Sequence, residues 1–330
     1  MFAALIVIGL LAAGALYQYV GAHRSARLYV APGTMIDADG QRLHVVCAGA
    51  GEPAVIFESG IAASSLSWTR MMQDVAAFTH ACAYDRAGLG WSDPVRRPRT
   101  IERMLAELRV VAAHGARPPY VLVGHSFGAF LVWAYAATHP TQVAGLVLLD
   151  PPSDWQEMSH EQSRLLRGGI QLARLGGVLA RVGVVRASLA LLTGGAPGVP
   201  RNFVRVFGPT AAHTLERLVG EVRKLPPDVH PLVQAIWCQP KCFAAMAAHL
   251  GALEETAAFA AHAVTIPPVP LVVVSGGDQP DATLARHRAL ANLSPHGRHV
   301  VAAGSAHWIQ FDAPELVVST IRQVVERARA

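Results

Sequence analysis

The chain opens with twenty residues, MFAALIVIGLLAAGALYQYV, that carry no charged side chain and no amphipathic pattern. As a helix they rise about 30 Å, the thickness of a bilayer core, so the pattern predicts an apolar anchor helix. Beyond Pro32-Gly33 the pattern changes. Residues 41–47 (QRLHVVC) alternate like a half-exposed strand. Short apolar runs follow at 54–58, 81–85, 120–123, 144–149 and 271–274, and they fit strands buried on both faces of a parallel sheet. Helix-length segments lie between them, near 66–78, 100–114 and 126–138. Strand and helix alternation of this kind predicts an α/β domain with right-handed crossovers. Pro151-Pro152 breaks the order, and from there to Pro267-Pro268 only helical stretches cut by Gly and Pro appear. The strand pattern resumes at Val269, adds 298–302, and closes with a helix over 314–327. The expected organisation is an anchor helix over 1–27 and one domain over 35–330. A helical cap is expected as an insertion in that domain, at about 151–268.

Composition narrows the classes. Of 330 residues 52% are hydrophobic and 15% charged, which excludes a disordered chain. The 28 Lys and Arg against 23 Asp and Glu leave a net +5, with no block of like charges and no basic-aromatic interleaving. Nucleic acid is therefore not an expected partner. No Lys or Arg precedes the apolar run, whereas Arg24 and Arg27 follow it. That order predicts a single-pass membrane anchor with the following domain on the cytoplasmic side. The alternative is a signal peptide cut near Ala22, after the small-x-small sequence Val20-Gly21-Ala22, and export. Within the cap, Arg167, Arg174 and Arg181 recur every seventh residue among apolar ones. A basic stripe fits a lipid headgroup surface, but an ordinary cap helix with a solvated face is preferred, since Gly168, Gly169, Gly176, Gly177 and Gly183 weaken a long helix. Cys47 and Cys82 fall on strands and are expected as buried thiols. Cys238 and Cys242 lack the spacing of a zinc site, and pair only in an exported protein. No phosphate-binding or dinucleotide glycine loop occurs, so no cofactor and no metal are expected.

One motif carries chemistry. Gly124-His125-Ser126-Phe127-Gly128 has the form G-x-S-x-G, between the apolar run YVLV and a helix-length run. A serine on a sharp strand-to-helix turn needs small neighbours, which Gly124 and Gly128 supply. The turn also sets Ser126 at a helix N-terminus, where free N–H groups favour developing negative charge. His125 adjoins the serine and is expected to line the pocket or pack beneath it.

On these residues the chain resembles the α/β-hydrolase family. Matching pieces are Glu58-Ser59-Gly60, the stretch 84–92 (YDRAGLGWS), the elbow GHSFG, Leu148-Leu149-Asp150-Pro151, Ser275-Gly276-Gly277-Asp278 and Gly304-Ser305-Ala306-His307. The resemblance covers nearly everything after residue 35. It implies an eight-stranded, mostly parallel sheet with flanking helices, a lid after the sixth strand, and a catalytic Ser…Asp…His order. His307, in a small-residue loop before the final helix, matches the catalytic base. Asp278 matches the usual location of the acid, and Asp150 is the alternative, as some relatives carry the acid there. Backbone N–H groups of Ile61 and Phe127 match the oxyanion donors. Many relatives have His-Gly before the first donor where this chain has Ser59-Gly60, which puts the supports of that loop in question. Trp68 is expected to pack the loop, and Asp85-Arg86 to brace a turn. The function so implied is a membrane-anchored serine hydrolase acting on an apolar carboxylic ester. Alternatives on the same frame are an amidase or thioesterase, a lyase or cofactor-free haloperoxidase, and a non-catalytic ligand-binding scaffold.

Overall fold

The structure, a computed structural model, describes residues 2–152, 160–193, 224–225, 229–262 and 265–330. Its centre is an eight-stranded sheet. The strands are β1 (Thr34–Ala38), β2 (Gln41–Ala48), β3 (Val55–Glu58), β4 (Ala81–Tyr84), β5 (Tyr120–His125), β6 (Val143–Leu149), β7 (Leu271–Gly276) and β8 (Gly297–Ala302). Their spatial order is β1-β2-β4-β3-β5-β6-β7-β8. The first two pairings, β1 with β2 and β2 with β4, are antiparallel, and the rest are parallel.

Why these segments became strands is plain from burial. Every residue of β3, β4, β5 and β7 is buried, as the continuous apolar runs require of a sheet covered on both faces. One covering layer holds α3 (Ile101–Ala113) and α4 (Phe127–Thr138), the other α2 (Thr69–Ala76) and the C-terminal helix Pro314–Arg329. Helix α4 is apolar all round because it lies inside, with ten of its residues buried, among them Phe130, Leu131, Trp133 and Tyr135. Each such side chain contributes about 1.5–3 kcal/mol of burial, so this helix fixes the position of β5 and the turn between them. Strand β1 alone escaped the sequence pattern. It is mostly exposed and pairs only with β2 through the tight turn Asp39-Gly40, so it has no buried face to declare itself.

Between β6 and β7 the described residues are helical: α5 (His160–Arg181), α6 (Val184–Thr193), α7 (His230–Trp237), α8 (Pro240–Gly251) and α9 (Leu253–His262). The chain forms two compact units. One comprises Ala31–Ile170 with Ala245–Ala330 and contains the sheet; the other comprises Met1–Val30 with Gln171–Ala244. The N-terminal helix α1 (Phe2–Leu28) thus groups with part of the insertion. It is long and apolar enough to cross a membrane by length and composition.

The cysteines depart from expectation. Cys47 and Cys82 are disulfide-bonded, not free thiols. They stand directly opposite each other on the antiparallel pair β2 and β4, which a reading of separate strands could not reveal. Cys238 and Cys242 are both buried and carry no disulfide, and burial pushes the Cys238 thiol up from its ordinary pKa.

Candidate active site

The turn from β5 to α4 puts Ser126 in a left-handed conformation, with φ 53° and ψ −120°. For a non-glycine residue such a backbone costs about 1–3 kcal/mol, and it persists only where neighbours hold it. Here the Ser126 N–H donates to the Leu149 carbonyl at 2.9 Å, tying the turn to the end of β6. A Cβ at Gly124 would stand 2.6 Å from the Gly128 carbonyl oxygen, and one at Gly128 would collide with the carbonyls of Glu58 and Ser59. Both glycines are therefore required by close approach, and the half-buried serine is left at the head of α4.

His307 lies on the loop after β8, and its Nδ1 is 2.7 Å from Asp150 Oδ2. Asp150 follows β6 directly and is 3% exposed. Its Oδ1 accepts the Gly276 N–H at 3.1 Å, and its Oδ2 also accepts the Gln279 amide at 2.6 Å. Burial alone would raise the Asp150 pKa. The His307 hydrogen bond and charge, the Gly276 N–H and nearby His287 outweigh it and bring the carboxyl below its ordinary value. Asp278, the first choice from sequence, is exposed on the loop after β7. The carboxylate that the fold brings to His307 is the alternative, Asp150. Strand β6 lies between β5 and β7, so its end is the one adjacent to the serine turn.

Neighbouring histidines hold this pair in place. His125 is fully buried, and its Nε2 lies 2.9 Å from the His307 carbonyl oxygen, so the nitrogen carries the proton and donates. The two ring centroids are 4.8 Å apart, and the Trp308 ring lies tilted against His125 at 4.6 Å. The residue before the serine therefore grips the loop that bears His307. Behind Asp150, His287 Nε2 donates to the Pro151 carbonyl at 2.8 Å. Its Nδ1 is then a bare acceptor for the Ser275 hydroxyl at 2.6 Å, and Ser275 accepts from His299 Nε2 at 2.7 Å. Burial lowers the pKa of both histidines. Sequence reasoning missed it, because its members are dispersed over 24 residues and meet only through the sheet.

The loop after β3 bears Ile61, which is half-buried, and Ala62 with φ 62°. A Cβ on Gly60 would meet His125 Nδ1 at 3.0 Å and Ser126 Cβ at 3.4 Å, so the loop runs against the serine turn. Its supports replace those that Ser59-Gly60 left in question. Trp68 is wholly buried, stacks on Phe57 and donates Nε1–H to Ser59 Oγ at 2.9 Å; that hydroxyl donates to the Ser64 carbonyl at 3.1 Å. Arg86 donates to the Ser59 carbonyl at 2.6 Å, to the Gly60 carbonyl, and to Glu58, which also accepts from Tyr84. Asp85 accepts from Ser65 N at 2.7 Å and Trp91 N at 2.9 Å, and pairs with His44 at 2.8 Å. Asp85-Arg86 is thus a brace for both ends of this loop. Phe127 opens α4, buried beside His249.

A serine at a helix N-terminus, a half-buried histidine oriented through Nδ1 by a buried carboxylate, and a rigid loop over the serine suit acyl transfer. Comparison with known proteins agrees on the frame. A family model described as alpha/beta hydrolase fold matches residues 53–181. The uncharacterized protein YqjL of Bacillus subtilis is 36% identical over 104 residues, which is 31% of this chain and 41% of that protein. Epoxide hydrolase A of Mycobacterium tuberculosis is 34% identical over 126 residues, 36% of this chain and 38% of that protein. In both, the chain spans less than half the length of the relative it matches. A thermophilic esterase from Thermogutta terrifontis superposes with a TM-score of 0.61 at 19% identity, covering 90% of this chain and 98% of the esterase. That likeness concerns the fold.

Proposed function

We propose, since the chain has the α/β-hydrolase fold, that it is a serine hydrolase that cleaves a carboxylic ester. The observations that carry the reading are the 2.7 Å contact of His307 Nδ1 with Asp150 and a serine held at φ 53° in the strand-to-helix turn. With Nδ1–H held by the carboxylate, Nε2 is the free, basic nitrogen of the ring. In this reading it takes the Ser126 proton as Oγ attacks the acyl carbon, and returns it to the leaving alkoxide. Water then repeats the cycle on the acyl-enzyme and releases the acid. The Phe127 and Ile61 N–H groups receive the oxyanion, and Arg86 and Trp68 keep the Ile61 loop at its distance. Asp150 stays ionised and stabilises the imidazolium formed in each half-reaction.

An epoxide hydrolase or dehalogenase needs a carboxylate nucleophile at the elbow, and residue 126 is serine. The amide and thioester readings use the same groups and differ only in leaving atom. The apolar acyl preference rests on the membrane attachment proposed for α1. On sidedness, the Cys47–Cys82 disulfide supports the oxidising side of a membrane over the cytoplasmic side, because such bonds are rare in reducing compartments.

Turnover of 4-nitrophenyl butyrate, compared with that of the matching anilide, tests the assignment. Ester turnover that disappears in Ser126→Ala is expected. An inert wild-type protein would leave the scaffold reading, and turnover retained by Ser126→Ala would move the nucleophile elsewhere.

A further inference from the structure

The unit formed by 1–30 and 171–244 has two kinds of surface that the hydrolase chemistry does not use. Along α1 the buried or half-buried positions are Gly14, Gln18, Gly21, Ala22 and Ser25, one stripe at helical spacing. This stripe is a built seam. A Cβ on Gly14 would strike the Val182 carbonyl, and one on Gly21 would meet Arg186 Nε at 2.7 Å. Gln18 is 5% exposed; its amide donates to the Cys238 carbonyl at 3.1 Å and its oxygen accepts from Arg186 Nε at 2.9 Å. Arg186 also reaches Ser25 Oγ at 3.3 Å. A paired glutamine and arginine at this level make poor neighbours for acyl chains, so the seam marks where lipid contact along that stripe ends.

From Phe2 to Ala13, by contrast, every residue is exposed. Those twelve residues rise about 18 Å, which matches one leaflet and falls short of the roughly 30 Å core. Exposed Tyr17 and Tyr19 follow, Tyr17 at the edge of the seam against Gly183, and then His23, Arg24 and Arg27. Apolar, then aromatic, then basic is the order of a membrane interface. In the same unit, α5 and α6 expose Leu172, Leu175, Val178 and Val184 beside exposed Arg174 and Arg181. Among the described residues of this unit there is no Asp and no Glu. Exposed aliphatic groups set among cations that no described acidic residue of the unit opposes complement anionic headgroups lying over acyl chains.

We infer that this unit is a monotopic membrane-binding face. Residues 2–13 of α1 enter a single leaflet, and the helices α5 and α6 rest Arg174 and Arg181 on anionic headgroups. The positive-inside bias governs segments that cross the bilayer, so Arg24 and Arg27 then carry no information on sidedness. The occupant is a lipid surface. The ordinary solvated face expected from the glycine-rich sequence is the alternative that the experiment excludes.

The full chain, diluted from detergent, is floated with vesicles of phosphatidylcholine alone or with one quarter phosphatidylglycerol. At about 1 kcal/mol per arginine near an anionic surface, Arg174→Ala with Arg181→Ala is expected to bind the anionic vesicles about thirtyfold more weakly. Binding to neutral vesicles stays unchanged, with folding checked by circular dichroism. Equal binding of variant and wild type to anionic vesicles would show a merely solvated helix face. Depth is read separately from Phe2→Cys, with the wild-type chain as background for its own thiols. Protection from a membrane-impermeant maleimide trapped inside the vesicles is expected. Labelling from inside would show that α1 crosses, and would overturn insertion into one leaflet.

Discussion

His307 and Asp150 meet at 2.7 Å across 157 residues of sequence, and the carboxylate is all but sealed from solvent. This contact is the ground for taking Asp150, not Asp278, as the acid. Asp150→Asn should lower kcat by roughly 10³–10⁴-fold, because an amide favours the wrong imidazole tautomer and cannot stabilise the imidazolium. Asp278→Asn, on an exposed loop position, should stay within about twofold of wild type, as surface changes away from a site usually do. Steady-state ester hydrolysis at pH 8 checks both. A crippled Asp278→Asn beside a near-normal Asp150→Asn would refute the pairing.

One guanidinium holds two successive carbonyls of the loop over Ser126. Arg86 is 2% exposed and contacts Glu58 and the carbonyls of Ser59 and Gly60 at once. Lysine keeps the charge but not the fork, so Arg86→Lys should release at least one carbonyl and loosen the Ile61 N–H. We expect kcat to fall by about 10–100-fold with KM within a factor of a few, since a looser donor is felt chiefly in the transition state. A fall in stability with unchanged kcat in the remaining folded protein would reduce Arg86 to a structural brace.

Acid should destabilise the fold well before it reaches ordinary carboxylates. Burial depresses the pKa of His249, and to a lesser degree of His287 and His299, so folding favours the neutral form of each. Below about pH 6.5 the unfolded chain binds protons that the folded chain does not, and stability falls as pH falls, by up to about 1.4 kcal/mol per pH unit for the fully buried His249 and by less for the partly solvated His299. Asp150 acts in a lower window. Its depressed pKa supplies stability above the ordinary carboxylate value, which is lost as pH drops through the folded one. His249 Nε2 is buried with no hydrogen-bond partner among the described residues, which makes His249→Leu the informative variant. Urea unfolding at pH 7.5 and 5.5 should show a smaller acid loss in His249→Leu than in wild type. Equal losses would assign the proton uptake elsewhere.

Thiol counting tests the cysteine assignment. In denaturant without reductant two thiols should react, Cys238 and Cys242, and after reduction four. Four reactive thiols in protein alkylated at the moment of lysis would return the hydrolase unit to a reducing compartment.

Much of this was legible from residue order. The sequence pattern marked seven of the eight strands, most as apolar runs buried on both faces and β2 by its alternation, and the Gly124–Gly128 spacing marked the serine turn. What stayed hidden depends on neighbours in space. Asp150 and Asp278 end adjacent strands, and only the loop bearing His307 selects between them. The Ser275, His287 and His299 chain, the Cys47–Cys82 bond and the Gln18–Arg186 seam each join residues from separate elements. Local periodicity carries no trace of them. The α1 stripe is the instructive case: Gly14, Gln18, Gly21 and Ser25 lie at helical spacing in the sequence, but small residues in an apolar run give no amphipathic signal.

The central claim is that Ser126 is a nucleophile activated by His307. A fluorophosphonate reacts rapidly only with a serine whose base and oxyanion donors are already assembled. Full-length protein should therefore be labelled at one site, and peptide mapping should place the phosphonyl adduct on Ser126. His307→Ala should abolish labelling, and Asp150→Asn should slow it strongly while leaving Ser126 as the site. An adduct on another residue, or an undiminished labelling rate in His307→Ala, would contradict the account.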